Sequence, residues 1–307
     1  MINFRYHIVS LTAVFFALAI GLVVGTAALN GPAADSLRGQ VTSLGQQNQE
    51  LRDRINHLND DVNAREQFAE ELAPVVLAGK LSGRNALIVS TISGREYVTG
   101  VADMLTVAGA TLTGRIEIAD KFTDPTRGPE LLDLAHTSLP PALTGTLPTN
   151  SDGAESAGAL LATVLHKRIP EVPEADRRKV LAAFANRGFL AGANSVTLAA
   201  DVIVVVSGPP ATGNDAAARN TSVVTLVRQL GRTGALVVAA SADAGDGNVV
   251  AQVRRDPQLS AEISTVDNVG TPQGRLVTAW AAADEIAARS GHYGIGSGAA
   301  LLPKTTQ

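Results

Sequence analysis

The stretch DVIVVVSG, Asp201 to Gly208, sets five apolar residues in succession, four of them valine. A strand with one wet face alternates apolar and polar residues. An unbroken β-branched run of strand length instead fits a strand covered on both faces, as in parallel sheets flanked by helices. ALVVAAS at 235–241 repeats the pattern, and a helix at about 221–230 separates the two runs. Upstream, NALIVST at 85–91 and TLTGRIEI at 111–118 read as strands. Between them Gly94 opens a turn, Tyr97, Val101, Met104, Leu105 and Ala108 carry helical spacing, and Gly109 ends that helix. Strand, helix, strand is a βαβ unit. The middle of the chain is helical at 131–135, 154–168 and 174–186, with Gly188 as a C-terminal cap and the Pro/Gly-rich LPPALTGTLPTNSDG as a connection. A helix at about 247–254, a short strand in EISTVDN and a last helix at 272–289 complete the alternation. The expected class is α/β, a mostly parallel, doubly wound sheet.

The whole chain has 307 residues, 45% hydrophobic and 18% charged, with a net charge of −4. No basic run suggests nucleic acid as a partner. Cysteine is absent, which excludes disulfides, thiolate metal sites and cysteine nucleophiles.

Residues 8–29 contain no charge, a length sufficient to cross a bilayer as a helix. Arg5, the amino terminus and His7 precede the span, so the N-terminus is expected to stay cytoplasmic and the rest to be exported. The alternative is a cleaved signal peptide, with Thr26-Ala27-Ala28 as its cleavage site. Gly21 and Gly25 form a small-xxx-small pair through which two membrane helices can approach closely.

Behind the span, Val41, Asn48, Ile55, Val62 and Ala69 fall seven apart, as do Leu37, Leu44, Leu51, Leu58 and Leu72 around an interruption at Arg65. With the first set at a and the second at d, a is largely β-branched, d is leucine and one a position holds asparagine. That combination favours a parallel two-stranded coiled coil whose register Asn48 fixes. Gly45 and the repelling Asp61 and Glu66 oppose it. The competing reading is an amphipathic helix packed on its own domain, which needs a broader apolar stripe. A helix over 36–72 would measure roughly 55 Å and hold the body off the membrane.

No catalytic constellation emerges. STISGRE after the first strand lacks both the dinucleotide and the P-loop pattern, and in SGPPATGND two prolines remove the backbone donors that a phosphate cradle needs. In SADAGDGNV, Gly245 and Gly247 precede a helix, but Asp243 and Asp246 repel phosphate; the loop reads as a polar helix start, with cation binding as the alternative. The histidines at 7, 57, 136, 166 and 292 show no short ligand spacing, and Met104 is the one methionine beyond the initiator. Soft Cu(I) prefers thiolate and thioether ligands, so no dedicated copper site is visible. SGHYGIGSGAALLP at 290–303 follows a helix rather than a strand, at the negative end of the helix dipole. It reads as a tail that ends the last helix at Gly291 and packs back on the body through His292 and Tyr293; the alternative is a surface site for a partner or metal.

RYHIVSLTAVFFALAIGLVVG near the start and AEISTVDNVGTPQGRLVTAW with GHYGIGSGA near the end carry a resemblance. They are similar to the two ends of the mycobacterial copper transport protein B (MctB) family, whose corynebacterial relatives include SteB-like envelope proteins. Arg5, His7, Glu262, Ser264, Thr265, Asp267, His292, Tyr293 and Gly294 are the family-like positions, without an assigned role. The resemblance implies copper efflux through an oligomeric pore of the outer envelope. For SteB-like members it implies an anchored partner of SteA-like proteins in envelope maintenance and cell separation. Copper enters only through this resemblance, and no cofactor is expected. A barrel needs many segments of about ten alternating residues, and a helical pore several spans; the sequence offers one span.

The expected organisation is therefore an anchor or signal peptide at 1–30, a coiled coil at 31–78, an extracytoplasmic α/β domain at 79–290 and a glycine-rich tail at 291–307. The expected protein is a non-enzymatic envelope component, a homodimer or higher homo-oligomer, assigned to the inner membrane by its sequence and to the outer membrane by the family.

Overall fold

In the computed structural model, which describes residues 4–29, 31–168, 170–241 and 247–303, the apolar runs form the centre of a seven-stranded sheet. The chain divides into two units, 1–64 and 65–307. The first holds helix α1, Phe4–Leu29, and most of α2, Pro32–Leu77. The second begins with the last turns of α2 and continues through β1, Asn85–Thr91, α3, Val98–Val107, and β2, Thr111–Ile118. Helices α4, Asp120–Thr123, α5, Gly128–Thr137, α6, Gly153–Leu165, and α7, Glu174–Asn186, come next. The two-residue strand β3, Leu190–Ala191, and β4, Val202–Ser207, are followed by α8, Ala216–Thr233, and β5, Ala235–Ala240. Helices α9, Val249–Arg255, and α10, Pro257–Glu262, lead to β6, Ser264–Val266; α11, Pro272–Ile286, and β7, His292–Tyr293, close the sheet.

The strand order is β3-β2-β1-β4-β5-β6-β7, parallel except for the β2–β3 pair. Every residue of β4 is buried. Its alternate side chains serve two cores: Ile203 and Val205 pack with Leu87, Val89 and Val238 against the face carrying α5 to α9. Val202, Val204 and Val206 pack with Ile88 and Val237 against α3, α11 and the end of α2. This double burial is what an unbroken valine run encodes. Each fully buried Val or Ile contributes about 1.5–3 kcal/mol as an upper estimate.

Both edges differ from the sequence expectation. The last helix ends at Ile286, not near Arg289, because Ala288 takes a left-handed φ of 56° and the Arg289 backbone N–H returns to the Asp284 carbonyl. His292 and Tyr293, within the expected tail, form strand β7, held by Thr265 N–H to Gly291 O (3.0 Å) and Asp267 N–H to Tyr293 O (3.1 Å). Pairs of two residues leave no periodicity to read; long-range hydrogen bonds alone define them.

His166 follows α6 and is 2% exposed. Burial lowers its pKa from 6.5 to about 4, against an opposing hydrogen bond to the Leu230 backbone. The folded ring is therefore neutral, and the unfolded chain binds the extra proton. Stability from this group is complete above pH 6.5 and is lost as pH falls from 6.5 to about 4, up to about 3 kcal/mol. His166→Asn, measured against wild type by urea unfolding at pH 7.5 and pH 4.5, should lose much less between the two values. Equal losses would remove His166 as the cause.

Candidate functional site

Most of the family-like positions of the C-terminal region converge at β6, β7 and the glycine loop. Arg254, near the end of α9, organises them. Its Nε donates to Thr265 Oγ1 (2.8 Å), Nη1 to Asp267 Oδ2 (2.7 Å) and Nη2 to the Tyr293 carbonyl (2.8 Å). The Arg254 and Asp267 side chains are only 17% and 11% exposed, so this ion pair lies in a poorly solvated place.

The glycine loop closes on the same carboxylate. Ile295 N–H donates to Asp267 Oδ1 (2.8 Å) and Gly296 N–H to Oδ2 (3.0 Å). Gly294 has a φ of +129°, and a Cβ there would stand 2.0 Å from Asp267 Oδ1. GHYGIGSG is thus an anion cradle of a particular kind: its occupant is the protein's own Asp267. The tail does pack back on the body, but as a strand followed by this loop.

A second branch runs through His292. Nδ1 lies 2.9 Å from Thr265 Oγ1 and Nε2 2.7 Å from Ser260 Oγ. Burial, and then the Arg254 charge, hold the His292 pKa below its ordinary value. With Thr265 accepting from Arg254, its hydroxyl proton is available to Nδ1, and Nε2–H donates to Ser260. Ser264 faces elsewhere: its N–H donates to Glu285 Oε1 (2.6 Å) and its Oγ accepts from Gly291 N–H (3.0 Å). Burial, opposed by the Ser264 hydrogen bonds, pushes the Glu285 pKa up. Burial and the Asp284 and Glu285 charges push Tyr293 up. Glu262, exposed at the end of α10, stands outside the cluster.

Sequence reasoning passed over Arg254 and Glu285. The available signal was helical phase: Arg254 lies four residues after the buried Val250, on the same face of α9, where a cation needs a partner. The cluster's polar groups are engaged with one another, which makes it a clamp joining α9, β6, β7 and the tail.

The remaining sequence candidates belong to the N-terminal region. Phe4–Ala27 is long and apolar enough to cross a membrane, and it is the one such helix among the described residues. Arg5 and His7 are exposed in its first turns, and the space around Gly21 and Gly25 is open. Along α2, Leu37, Val41, Leu44, Asn48, Leu51, Ile55, Leu58 and Val62 are all exposed, Val41 at 69% and Val62 at 50%. Toward the end of the helix Ala69, Ala73 and Leu77 are buried, at the four-residue spacing of one helix face, and Leu72 lies beside them at 37% exposure. The final turns therefore pack on their own domain, while the seam before them has no apolar cover. Asp243, Gly245 and Asp246 lie outside the described residues.

Among the described residues no group of three or more His, Asp or Glu side chains could hold a metal ion. The His292 ring nitrogens are both engaged, and the His166 ring is buried with Nε2 unpartnered. These residues do not fit a resident copper site.

A doubly wound α/β body in a chain with one N-terminal helix able to cross a bilayer defines the class. The chain belongs to the MctB family, whose description is "Copper transport outer membrane protein, MctB"; the match covers residues 1–303. It is similar to the "Copper transporter MctB" of Mycobacterium bovis and of Mycobacterium tuberculosis, each 30% identical over 309 residues, 97% of this chain and 98% of theirs. The Mycobacterium leprae protein of the same name is 31% identical over 317 residues, 98% of this chain and 99% of its own.

Proposed function

We propose that this protein is a membrane-anchored component of the cell envelope that serves copper homeostasis as a dimeric scaffold. The copper role rests on the names of the family and its relatives. The scaffold rests on one observation: the a/d seam of α2 is apolar, narrow and exposed from Leu37 to Val62. A second copy in parallel register covers such a seam, with β-branched residues at a, leucine at d and Asn48 facing its counterpart. Gly21 and Gly25 favour close approach of the two membrane helices, and Arg5 favours a cytoplasmic N-terminus with the body outside. The sheet itself argues against a pore, because helices cover both its faces and leave no side to line a lumen.

The chain has no cysteine, so single introduced thiols report on the seam cleanly. In the full-length protein in detergent, Leu51→Cys should oxidise to a covalent dimer, whereas Asp53→Cys, on the outer face of the helix, should not. Asn48→Leu should tighten association and relax its register, giving species above the dimer in sedimentation. In cells lacking the protein, a Leu51→Asp, Leu58→Asp variant should fail to restore copper tolerance although its body folds. Full restoration by a variant that sediments as a monomer would sink the scaffold.

The exposed seam also favours a second reading, the SteB-like one, in which the anchored dimer presents its surface to a SteA-like partner in envelope maintenance and cell separation. Growth of the seam-broken strain without copper separates the two: a division defect there supports the second reading.

A further inference from the structure

Away from the clamp, the chain reverses direction across the sheet between β1 and β4. After β1 it turns through the 3₁₀ segment Ile92–Tyr97 into α3 on one face; after β4 it runs through 208–215 into α8 on the other. In open α/β sheets this divergence, outside the carboxyl ends of the strands, opens the crevice where ligands bind. A crevice of about 280 Å³ lies there, at the ends of β1, β2 and β4. Its size is near the lower limit for small-molecule sites and suits a ligand of about one ring.

The wall carries a chain of hydroxyls. Ser93 Oγ lies 3.1 Å from Thr91 Oγ1, Thr91 donates to Ser207 Oγ (3.2 Å), and Ser207 donates to the Gly208 carbonyl (3.4 Å). One hydroxyl carries one proton, so a single direction satisfies the whole chain: Ser93 to Thr91 to Ser207. Ser93, exposed at the mouth, then offers lone pairs, and the chain of bonds polarises them. Arg219 lies opposite. Its Nε pairs with Asp215 Oδ2 (2.6 Å) and its Nη1 with the Asp120 carbonyl (3.3 Å), and no bond among the described residues takes Nη2. Asn220 braces the loop after β4 through both the N–H and the C=O of Ala211.

Charge decides the ligand class. Asp215, outside the wall, already neutralises Arg219, Asp120 adds a negative charge to the lining, and Pro209 and Pro210 supply no backbone N–H, so among the described residues an anion finds no matched site. Acceptors at Ser93 and Asp120, donors at Arg219 and apolar walls from Ile118 and Val223 suit a neutral molecule with several hydroxyls and C–H faces. We infer that the crevice between the β1 and β4 ends binds a small neutral polyol of sugar or cyclitol type. This site is independent of the dimer and of copper.

The test uses full-length protein in a detergent without a sugar headgroup, with D-glucose and myo-inositol as probes and saturation-transfer NMR as the readout. At least one polyol should bind saturably. Ser93→Leu, which fills the mouth from an exposed turn, should abolish binding, and Arg219→Met should weaken it roughly tenfold or more. Both variants should unfold at the wild-type temperature; should Arg219→Met lose stability, Ser93→Leu decides alone. Absence of saturation by both polyols, wild-type binding by Ser93→Leu, or displacement of the polyol by sulfate would each overturn the inference.

Discussion

Arg254→Met should lower the unfolding free energy of the α/β body by about 3–5 kcal/mol, the range for breaking a buried ion pair from one side. The guanidinium is the one cation bonded to Asp267 among the described residues, and it also holds Thr265 and the Tyr293 carbonyl. Methionine fills much of the volume but leaves the carboxylate with only the Ile295 and Gly296 N–H groups. In a domain of this size each kcal/mol moves the melting temperature by about 2–4 °C, so the drop should be about 6–20 °C. Arg254→Lys should recover only part of it, since an ammonium cannot span three acceptors in one plane. A loss below about 1 kcal/mol in urea unfolding would mean that the clamp is an exposed ion pair in solution.

Gly208→Ala should cost about 3 kcal/mol, the upper end for overpacking, and more if the loops cannot part. A Cβ on Gly208 would stand 1.9 Å from the Ser93 carbonyl oxygen, which is backbone and cannot rotate aside. The mirror contact is as close: a Cβ on Gly94 would lie 2.3 Å from Val206 O. These two glycines let the connections leaving β1 and β4 touch where the strand order reverses. An alanine must separate them or shift β4. Circular dichroism melts of the variant, beside those of Arg254→Met, should show two independent losses that add in the double variant, because the sites share no partner. A variant that melts with wild type would show that the loops relax without strain.

The central strands were legible because double burial demands apolar residues at every position, and few other structures tolerate five such residues in a row. The bounds of β1 match the sequence expectation for the same reason; β2, buried only at Thr113, Ile116 and Ile118, matches because turn residues close its run. Helix α2 was legible from its heptads, although those heptads do not say that Ala69, Ala73 and Leu77 pack on the body. The candidate site was half legible. Thr265, Asp267, His292 and Gly294 stood out only through family likeness, which gives positions without roles. Arg254 sits beside Arg255 in VRRDP, and a string of letters does not say which guanidinium turns inward.

By itself, the sequence determined the α/β class, the apolar N-terminal helix and the periodic seam, because each is a local pattern repeated over many residues. The tertiary structure alone decided the two-residue edge strands, the Asp267 occupant of the glycine loop and the crevice at the strand reversal. Those features join residues 27 to 116 positions apart, through single hydrogen bonds and close backbone contacts that leave no period in the chain.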